Sequence, residues 1–353
     1  MRILTKHSWF LILAVACGLW LTGCDIDADR VICDYKVQLR YDYNEENGTQ
    51  ENRIEYYVYS IDEYIFDDRG VLFRYRQFTP DRCTEYMNSE IDLPPGRYSV
   101  IAIGNMDERS AATDAATGDR PLEGYTLRKN MRLTLANAAA LPNNTYGPSE
   151  PLYHGYKTFT VKERGISRIR VDMINAHFTL KFRVRWKNGA TPPTGDYYAL
   201  LESVPSHYHL MPEYIYPAGS FTCETHDPGR HDLYPDNCNN VIHHIPGTCH
   251  EGQNVLVHRH DTHVTVDKEL WGEFTAYRIK DATAPKLRVF GADDTQVIRD
   301  IDLQQYFQWY DYRLDTELKQ AYSIDITVDG DKIILMPLEV GDYEEGGQVT
   351  GTT

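Results

Sequence analysis

A run of strictly alternating apolar and polar residues constrains this chain more than any other feature. Within 178–186 the apolar side chains share one parity and the polar ones the other: Phe178, Leu180, Phe182, Val184 and Trp186 against Thr179, Lys181, Arg183 and Arg185. Successive side chains of a strand point to opposite faces, so the pattern predicts a half-buried strand of an antiparallel sheet. The stretch 37–44 alternates in the same way, beginning with Val37 and Leu39.

Strand signals continue along most of the chain, including 54–66, and helix signals are weak. The 26 Tyr, 11 Phe and 5 Trp residues favour half-buried β surfaces. Only 110–116 and 137–141 are candidates for short helices. Because the two long alternating strands start near 37 and 178, we predict an all-β fold of two antiparallel β-sandwich domains in tandem. Their predicted limits are 24–165 and 166–345, followed by a tail at 346–353.

The dipeptide Asp329-Gly330 predicts a tight turn near the C-terminus. It separates two strand candidates, 322–328 and 332–336. Asp-Gly is a preferred turn of two-residue β-hairpins. The sequence therefore predicts a C-terminal hairpin.

The N-terminus has the features of a secretory signal at residues 1–23. Arg2 and Lys6 precede an apolar run, which is too short to be preferred as a spanning helix. Leu21-Thr22-Gly23-Cys24 follows and resembles the lipobox of bacterial lipoproteins. We expect cleavage between Gly23 and Cys24 and lipidation of Cys24, which attaches the protein to a membrane. The alternative is an uncleaved anchor helix in which the cysteine stands by chance.

The net charge of the chain limits the classes of partner that it can bind. The chain has 36 Lys+Arg against 52 Asp+Glu, a net charge of −16. Nucleic acid is therefore not expected as a partner, since binding its phosphates needs clustered cations. Asp25, Asp27 and Asp29 follow the lipobox cysteine. Acidic residues in this position resemble the surface-export signal of Bacteroidetes lipoproteins and favour exposure at the cell surface.

Five cysteines remain once Cys17 leaves with the signal and Cys24 is lipidated. An odd number outside the cytoplasm leaves at least one thiol unpaired within the chain. Cys33 and Cys83 are a candidate disulfide in the first half. Two of the three others could form a second bridge, and the sequence does not choose among Cys223, Cys238 and Cys249.

Ten of the 13 histidines lie between His207 and His263. Imidazole and thiolate are the usual zinc ligands, but no cysteine pair has two- to four-residue spacing and no His-Glu-x-x-His occurs. Solvated polar loops are therefore the preferred interpretation and a metal site the alternative. Gly-x-Ser-x-Gly, the P-loop and the dinucleotide fingerprint are also absent from the sequence, so we predict no cofactor and no enzymatic activity.

Several short sequence segments of the first half, taken in order, resemble segments of one protein family. They are Cys33-Asp34, Tyr41-Asp42-Tyr43-Asn44, the stretch Ile61 to Gly70, and Leu93-Pro94-Pro95-Gly96-Arg97-Tyr98 leading to Ile103-Gly104-Asn105. With the lipobox, this order resembles the FimB/Mfa-type fimbrial anchor lipoproteins of the Bacteroidetes, relatives of the subunits of type V pili. The resemblance is strongest over residues 24 to 105 and looser beyond them.

This resemblance implies two transthyretin-like sandwich domains and a structural role, with the lipidated end holding a fibre base to the outer membrane. It also implies strand addition, in which backbone hydrogen bonds and alternating side chains hold an extended segment in a groove of a pilin subunit. The candidate donor residues are Lys332, Ile333, Ile334, Leu335, Met336, Leu338 and Val340. The alternative is that they form only the last strand of the second domain. Pro337 limits pairing to one side of this strand.

The predicted fold is also compatible with a different function. Tyr197-Tyr198, Trp271 and Trp309-Tyr310-Asp311-Tyr312 could form an aromatic platform. The alternative function is therefore a surface lipoprotein that binds glycans or a host protein, although such residues are more often part of a core or an interface.

Overall fold

The computed structural model describes residues 36–43, 52–79, 87–136, 140–141, 145–187, 195–215, 243–248, 255–265, 268–315, 317 and 319–338. Nearly all regular structure in these ranges is β, which confirms the predicted all-β character. None of the helices in the described ranges has the length and apolarity needed to cross a membrane. The lipobox with Gly23 and Cys24, and the cysteines Cys33, Cys83, Cys223, Cys238 and Cys249, lie outside these ranges.

The elements of the first half are β1 (Lys36–Tyr43), α1 (Ile54–Tyr57), β2 (Ile61–Phe66), β3 (Leu72–Phe78), β4 (Met87–Asp92), β5 (Gly96–Gly104), β6 (Ser110–Asp114), a 3-10 turn (Arg128–Asn130), β7 (Met131–Leu135), β8 (Ala140–Leu141), β9 (Thr145–Tyr146), β10 (Tyr153–Val161) and β11 (Ser167–Asn175). Those of the second half are β12 (His177–Trp186), β13 (Asp196–Pro205), β14 (His207–Ile215), β15 (His243–Thr248), β16 (Val255–His263), β17 (Glu269–Tyr277), β18 (Lys286–Gly291), β19 (Gln296–Asp302), α2 (Leu303–Trp309), β20 (Gln320–Asp329) and β21 (Lys332–Pro337).

The strands form four sheets. Sheet I has the order β3-β2-β5-β10-β11-β1-β4, and sheet II has the order β15-β14-β7-β6. Sheet III has the order β19-β18-β13-β16-β9-β8, and sheet IV has the order β17-β12-β20-β21. One buried cluster joins sheets I and II, with Tyr64, Ile101, Leu133 and Tyr208 among its members. Another joins sheets III and IV around the fully buried Phe182.

Sheet I also encloses a core of its own, because it curls until a side chain of one edge strand reaches the other edge strand. Arg76 of β3 donates to the backbone carbonyl of Glu90 in β4. Val37 and Leu39 of β1 are fully buried inside this curl. The alternation that predicted β1 and β12 is therefore confirmed, because the apolar parity of each strand faces a core.

The predicted antiparallel pairing is wrong for one strand pair in each half. β1 pairs in parallel with β11, and β12 pairs in parallel with β20. Each of these first strands is antiparallel to its other neighbour, β4 or β17. Parallel pairing requires a long crossover, which the many residues between each pair of strands supply. Alternation in one strand carries no information on the direction of its neighbour.

The sheets do not follow a simple division into tandem halves. β11 belongs to sheet I and β12 to sheet IV, so the chain changes sheet at Ala176. β14 and β15 extend sheet II, and β8 and β9 extend sheet III. Strands of each half thus complete a sheet of the other half. The division into two transthyretin-like domains stays a prediction.

Helices differ from the predictions. Residues 110–114 form strand β6, and residues 140–141 form strand β8, while 137–139 lie outside the described residues. Residues 54–57, predicted as the start of a strand, form α1. Helix α2 was not predicted, although its N-terminus has a recognisable signal. The Asp302 carboxylate accepts a hydrogen bond from the Gln305 backbone N–H at 3.0 Å, as an N-cap residue does.

A buried arginine ties the two halves together at Ala176. Arg278 directly follows β17 in the chain, and it is 1% exposed. Its guanidinium donates to the Asn175 carbonyl at 3.1 Å, and also to the carbonyls of Leu314 and Glu317. Beside it, the Tyr277 hydroxyl donates to Ser110 Oγ at 3.1 Å. A charged donor satisfies several backbone acceptors at once, so this contact holds β11 to the second half.

Candidate functional site

The C-terminal hairpin is the candidate site. β20 and β21 pair antiparallel from Ile324↔Pro337 to Asp329↔Lys332. Gly330 turns the chain with a φ of +59°, in the left-handed region that glycine tolerates. The hairpin predicted from Asp329-Gly330 is therefore confirmed. β21 stands at the end of sheet IV and has only β20 as a sheet neighbour among the described strands.

The two faces of β21 differ in exposure. Ile333 and Leu335 pack against the core between sheets III and IV, and Leu338 is buried just after the strand. Ile334 is 42% exposed and Met336 is 54% exposed. The proposed donor residues from Lys332 to Leu338 thus lie in an alternating edge strand, and Val340 lies outside the described residues. In the described residues this segment is the last strand, and it pairs with β20 of its own sheet.

The backbone N–H and C=O groups of β21 point toward β20 at every second residue and away from β20 at the residues between. The Leu338 N–H donates to the Ser323 carbonyl at 3.1 Å, so this pair is a hydrogen-bonded pair of the ladder. Such pairs alternate along an antiparallel ladder. The backbone groups of Ile333, Leu335 and Pro337 must therefore point away from β20, toward the free edge. Proline has no N–H, so Pro337 offers no donor there.

Helix α2 and the turn after it pack beside this hairpin. The Tyr306 hydroxyl donates to the Ser323 carbonyl at 3.2 Å, and the Tyr310 hydroxyl donates to the Leu335 carbonyl at 3.1 Å. Tyr306 and Tyr310 are in ring contact at 5.0 Å between centroids. Burial raises the pKa of Tyr306 above its ordinary value, so this phenol stays protonated and remains a donor. β21 therefore lies in a slot between β20 and the α2 segment.

The outer face of sheet IV carries an ordered ion-pair network. The Asp325 carboxylate accepts hydrogen bonds from Arg183, at 3.0 and 3.1 Å, and from Arg185. Burial raises the pKa of Asp325, but the hydrogen bonds from the two arginines outweigh it and hold the pKa below its ordinary range. The Arg183 guanidinium also lies 5.1 Å from the ring centre of Trp271, which is 42% exposed.

Replacing Asp325 by asparagine is expected to lower stability by about 2 kcal/mol at neutral pH, since charge-assisted hydrogen bonds are lost. A carboxyl whose pKa is depressed on folding stabilises above its unfolded pKa, near 4, and this stabilisation disappears as the pH falls through the folded value. The difference in melting temperature between wild type and Asp325→Asn should therefore narrow below pH 4. Asp261→Asn, in an exposed pair with Arg259, is the matched control and should have a small effect. A constant difference from pH 7 to pH 3 would contradict this.

The histidine-rich stretch is only partly within the described residues. His258 is buried, and its Nδ1 lies 2.7 Å from the Gly147 carbonyl. Burial lowers the pKa of His258 to about 4, so it is neutral at pH 7. Its place in a core differs from the solvated loops that we expected. In the ranges that the structure describes, no three His, Cys, Asp or Glu side chains are grouped as metal ligands.

The fold places the residues of the predicted aromatic platform in different parts of the protein. Tyr197 is buried, and Tyr198 stacks on Phe290 at 5.2 Å with the Arg259 guanidinium 4.0 Å from its ring centre. Tyr310 and Tyr312 join the ring cluster around Tyr306. Of the aromatic residues proposed for stacking, Trp271 and Trp309 are the strongly exposed ones, at 42% and 64%.

Fold and site together define a structural β protein whose most distinctive surface is a terminal edge strand. The chain belongs to the family of fimbrillin-A associated anchor proteins Mfa1 and Mfa2, whose family model matches residues 30–345. This is a family of structural fimbrial proteins and not of enzymes, and it associates the chain with fimbrial subunits at the cell surface. The resemblance inferred from the sequence is thereby confirmed.

Solved structures share this fold at low sequence identity. The fimbrial anchor protein Mfa2 from Porphyromonas gingivalis is 14% identical, with 85% of this chain and 95% of that chain covered and a TM-score of 0.54. A candidate adhesin from Bacteroides ovatus is 12% identical, with 87% and 94% covered and a TM-score of 0.58. A candidate polysaccharide-binding protein from Bacteroides thetaiotaomicron is 13% identical, with 86% and 98% covered and a TM-score of 0.59. No curated protein matches the chain significantly.

Proposed function

We propose that this protein is an outer-membrane lipoprotein that anchors and terminates a fimbrial stalk at the cell surface through β-strand complementation with a pilin. The observation that carries this is β21, an apolar strand with alternating burial at a sheet edge, which is the last described element of the chain. Family membership supports it, because the family consists of fimbrial anchor proteins.

The lipid end supplies the attachment to the membrane. In this proposal Cys24 carries the acyl chains, and Lys36 at the start of β1 follows twelve residues later. An extended chain spans at most about 3.5 Å per residue, so this tether reaches about 40 Å. The folded body would thus stay close to the outer membrane, at the base of the fimbrium.

The hairpin supplies the joint to the pilin. In its own domain β21 makes a backbone ladder with β20 and places Ile333 and Leu335 in the core. A groove of similar shape in a pilin would offer the same kinds of contact, so moving the strand exchanges backbone bonds and apolar burial for equivalents. Both faces of β21 carry apolar side chains, so the strand can present an apolar face and a ladder edge in either placement.

The test is a pull-down of the lipidated protein from the native cell envelope, with mass spectrometry of what co-purifies. The full chain is expected to recover a pilin-like subunit, and a chain lacking residues 332–353 is expected to lose it. A chain lacking only 346–353 is the matched control and should retain it. Ile334→Ser with Met336→Ser changes exposed side chains without touching the core and should weaken recovery. Equal recovery with all four proteins would contradict the proposal.

A second candidate function is binding of a glycan or host protein at the outer face of sheet IV. The observation that favours it is the exposed Trp271 beside the Arg183–Asp325 network, since aromatic and arginine side chains are enriched where proteins bind partners. One protein of the same fold is named for polysaccharide binding. Loss of retention on a glycan column with Trp271→Ala, while the pilin is still recovered, would support this function over the first.

A further inference from the structure

The free edge of β21 is less open than its position at the end of sheet IV suggests. Three residues direct backbone groups toward that edge, and two of them offer less than a full pair of unengaged groups. Pro337 has no N–H. The Leu335 carbonyl accepts a hydrogen bond from the Tyr310 hydroxyl at 3.1 Å. Ile333 is thus the position where both outward groups have no partner that the described residues supply.

Tyr310 is held in this position by its own segment. Its N–H donates to the Tyr306 carbonyl at 3.3 Å at the end of α2. Asp311 then takes a φ of 54°, in the left-handed region, and the Tyr312 N–H donates to the Phe307 carbonyl at 3.0 Å. This bend lets Tyr310 and Tyr312 both face the aromatic cluster. The Tyr310 hydroxyl also lies 3.5 Å from the Met336 sulfur, so it contacts two successive residues of β21.

We propose that Tyr310 is a latch on the C-terminal strand, whose hydroxyl holds Leu335 and so keeps β21 in place beside β20. In the proposed function β21 moves into a groove of the pilin, so the hydrogen bond from Tyr310 must break before the strand joint forms. The role of the latch in assembly rests on the proposed function, but the latch itself is a property of the isolated protein.

Amide hydrogen exchange of the purified full chain tests the latch without any pilin. The amides of Ile334, Met336 and Leu338 point toward β20, so they exchange when β21 opens. Tyr310→Phe keeps the ring and removes only the hydroxyl. Since one hydrogen bond is lost, exchange across 332–338 is expected to accelerate about three- to tenfold, with β12 unchanged. Tyr198→Phe, which removes a 2.7 Å bond to Asp294 in sheet III, is the matched control and should leave β21 unchanged.

A labelled synthetic peptide with the sequence of residues 332–340 provides a second readout. Its capture by the protein should be faster with Tyr310→Phe than with wild type by a similar factor. Unchanged exchange in β21, equal acceleration throughout sheet IV, or equal peptide capture by the two proteins would each overturn the latch. None of these results bears on whether a pilin co-purifies with the lipidated chain, so the two proposals can fail separately.

Discussion

Replacing Cys24 by alanine is expected to release the protein from the membrane almost completely. Each buried methylene of an acyl chain contributes about 0.8 kcal/mol, and stable attachment takes more than one chain. Without the thiol there is no site for the diacylglyceryl group, so the acyl chains that provide the attachment in this proposal are lost. The measurement is the fraction of protein in the membrane pellet after cell fractionation, together with the amount of fimbriae shed into the medium.

The same variant should leave the fimbrial subunits themselves at normal levels, because anchoring and subunit production are separate steps. Cys17→Ala changes a cysteine within the predicted signal and is the matched control. It should keep the protein in the pellet. If the Cys24→Ala protein stays in the pellet at the wild-type level, lipidation at this position is not what holds the protein.

Replacing Arg278 by methionine is expected to destabilise the fold by about 3 kcal/mol, because the buried carbonyls of Asn175, Leu314 and Glu317 lose their common donor. Burial lowers the pKa of the Arg278 guanidinium, yet arginine remains charged at any pH of interest. The volume of methionine is close enough to limit the cavity term. Thermal unfolding should show a fall of roughly 6–12 °C for a folding unit of about 150–250 residues.

Arg313→Met is the matched control for this result. Arg313 pairs with Asp311 at 2.8 Å, with both side chains largely exposed. Exposed ion pairs contribute little, so its melting temperature should change by a degree or two at most. A similar small change with Arg278→Met would mean that the two halves are held together by their apolar contacts alone.

Strands were easier to predict than the remaining elements for a physical reason. Phe178 and Leu180 lie on one face because side chains of any strand alternate, whatever its neighbours. The short helix α2 has only seven residues, too few for a helical period to stand out. Residues 110–114 were wrongly predicted as helical, because Ser-Ala-Ala-Thr-Asp combines good helix formers with turn residues, and pairing with β7 decides their state.

The candidate site could likewise be predicted only in part. Asp329-Gly330 and the strand candidates on either side of it predicted the hairpin, since turn chemistry and strand propensity are local properties. The latch on Leu335 could not be predicted, because Tyr310 is 25 residues away in the chain. A single tyrosine in a chain with 26 carries no signal for one particular carbonyl.

The sequence by itself determined the β character of the chain, the terminal hairpin and the family, because these depend on local periodicity, turn residues and ordered phrases. Only the tertiary structure decided that β1 and β12 have parallel neighbours, and that strands of each half complete a sheet of the other. It alone decided that Arg278 joins the halves and that Tyr310 reaches Leu335. Such contacts depend on which distant segments meet, and long-range pairing is set by the packing of the whole core and not by any stretch of residues within it.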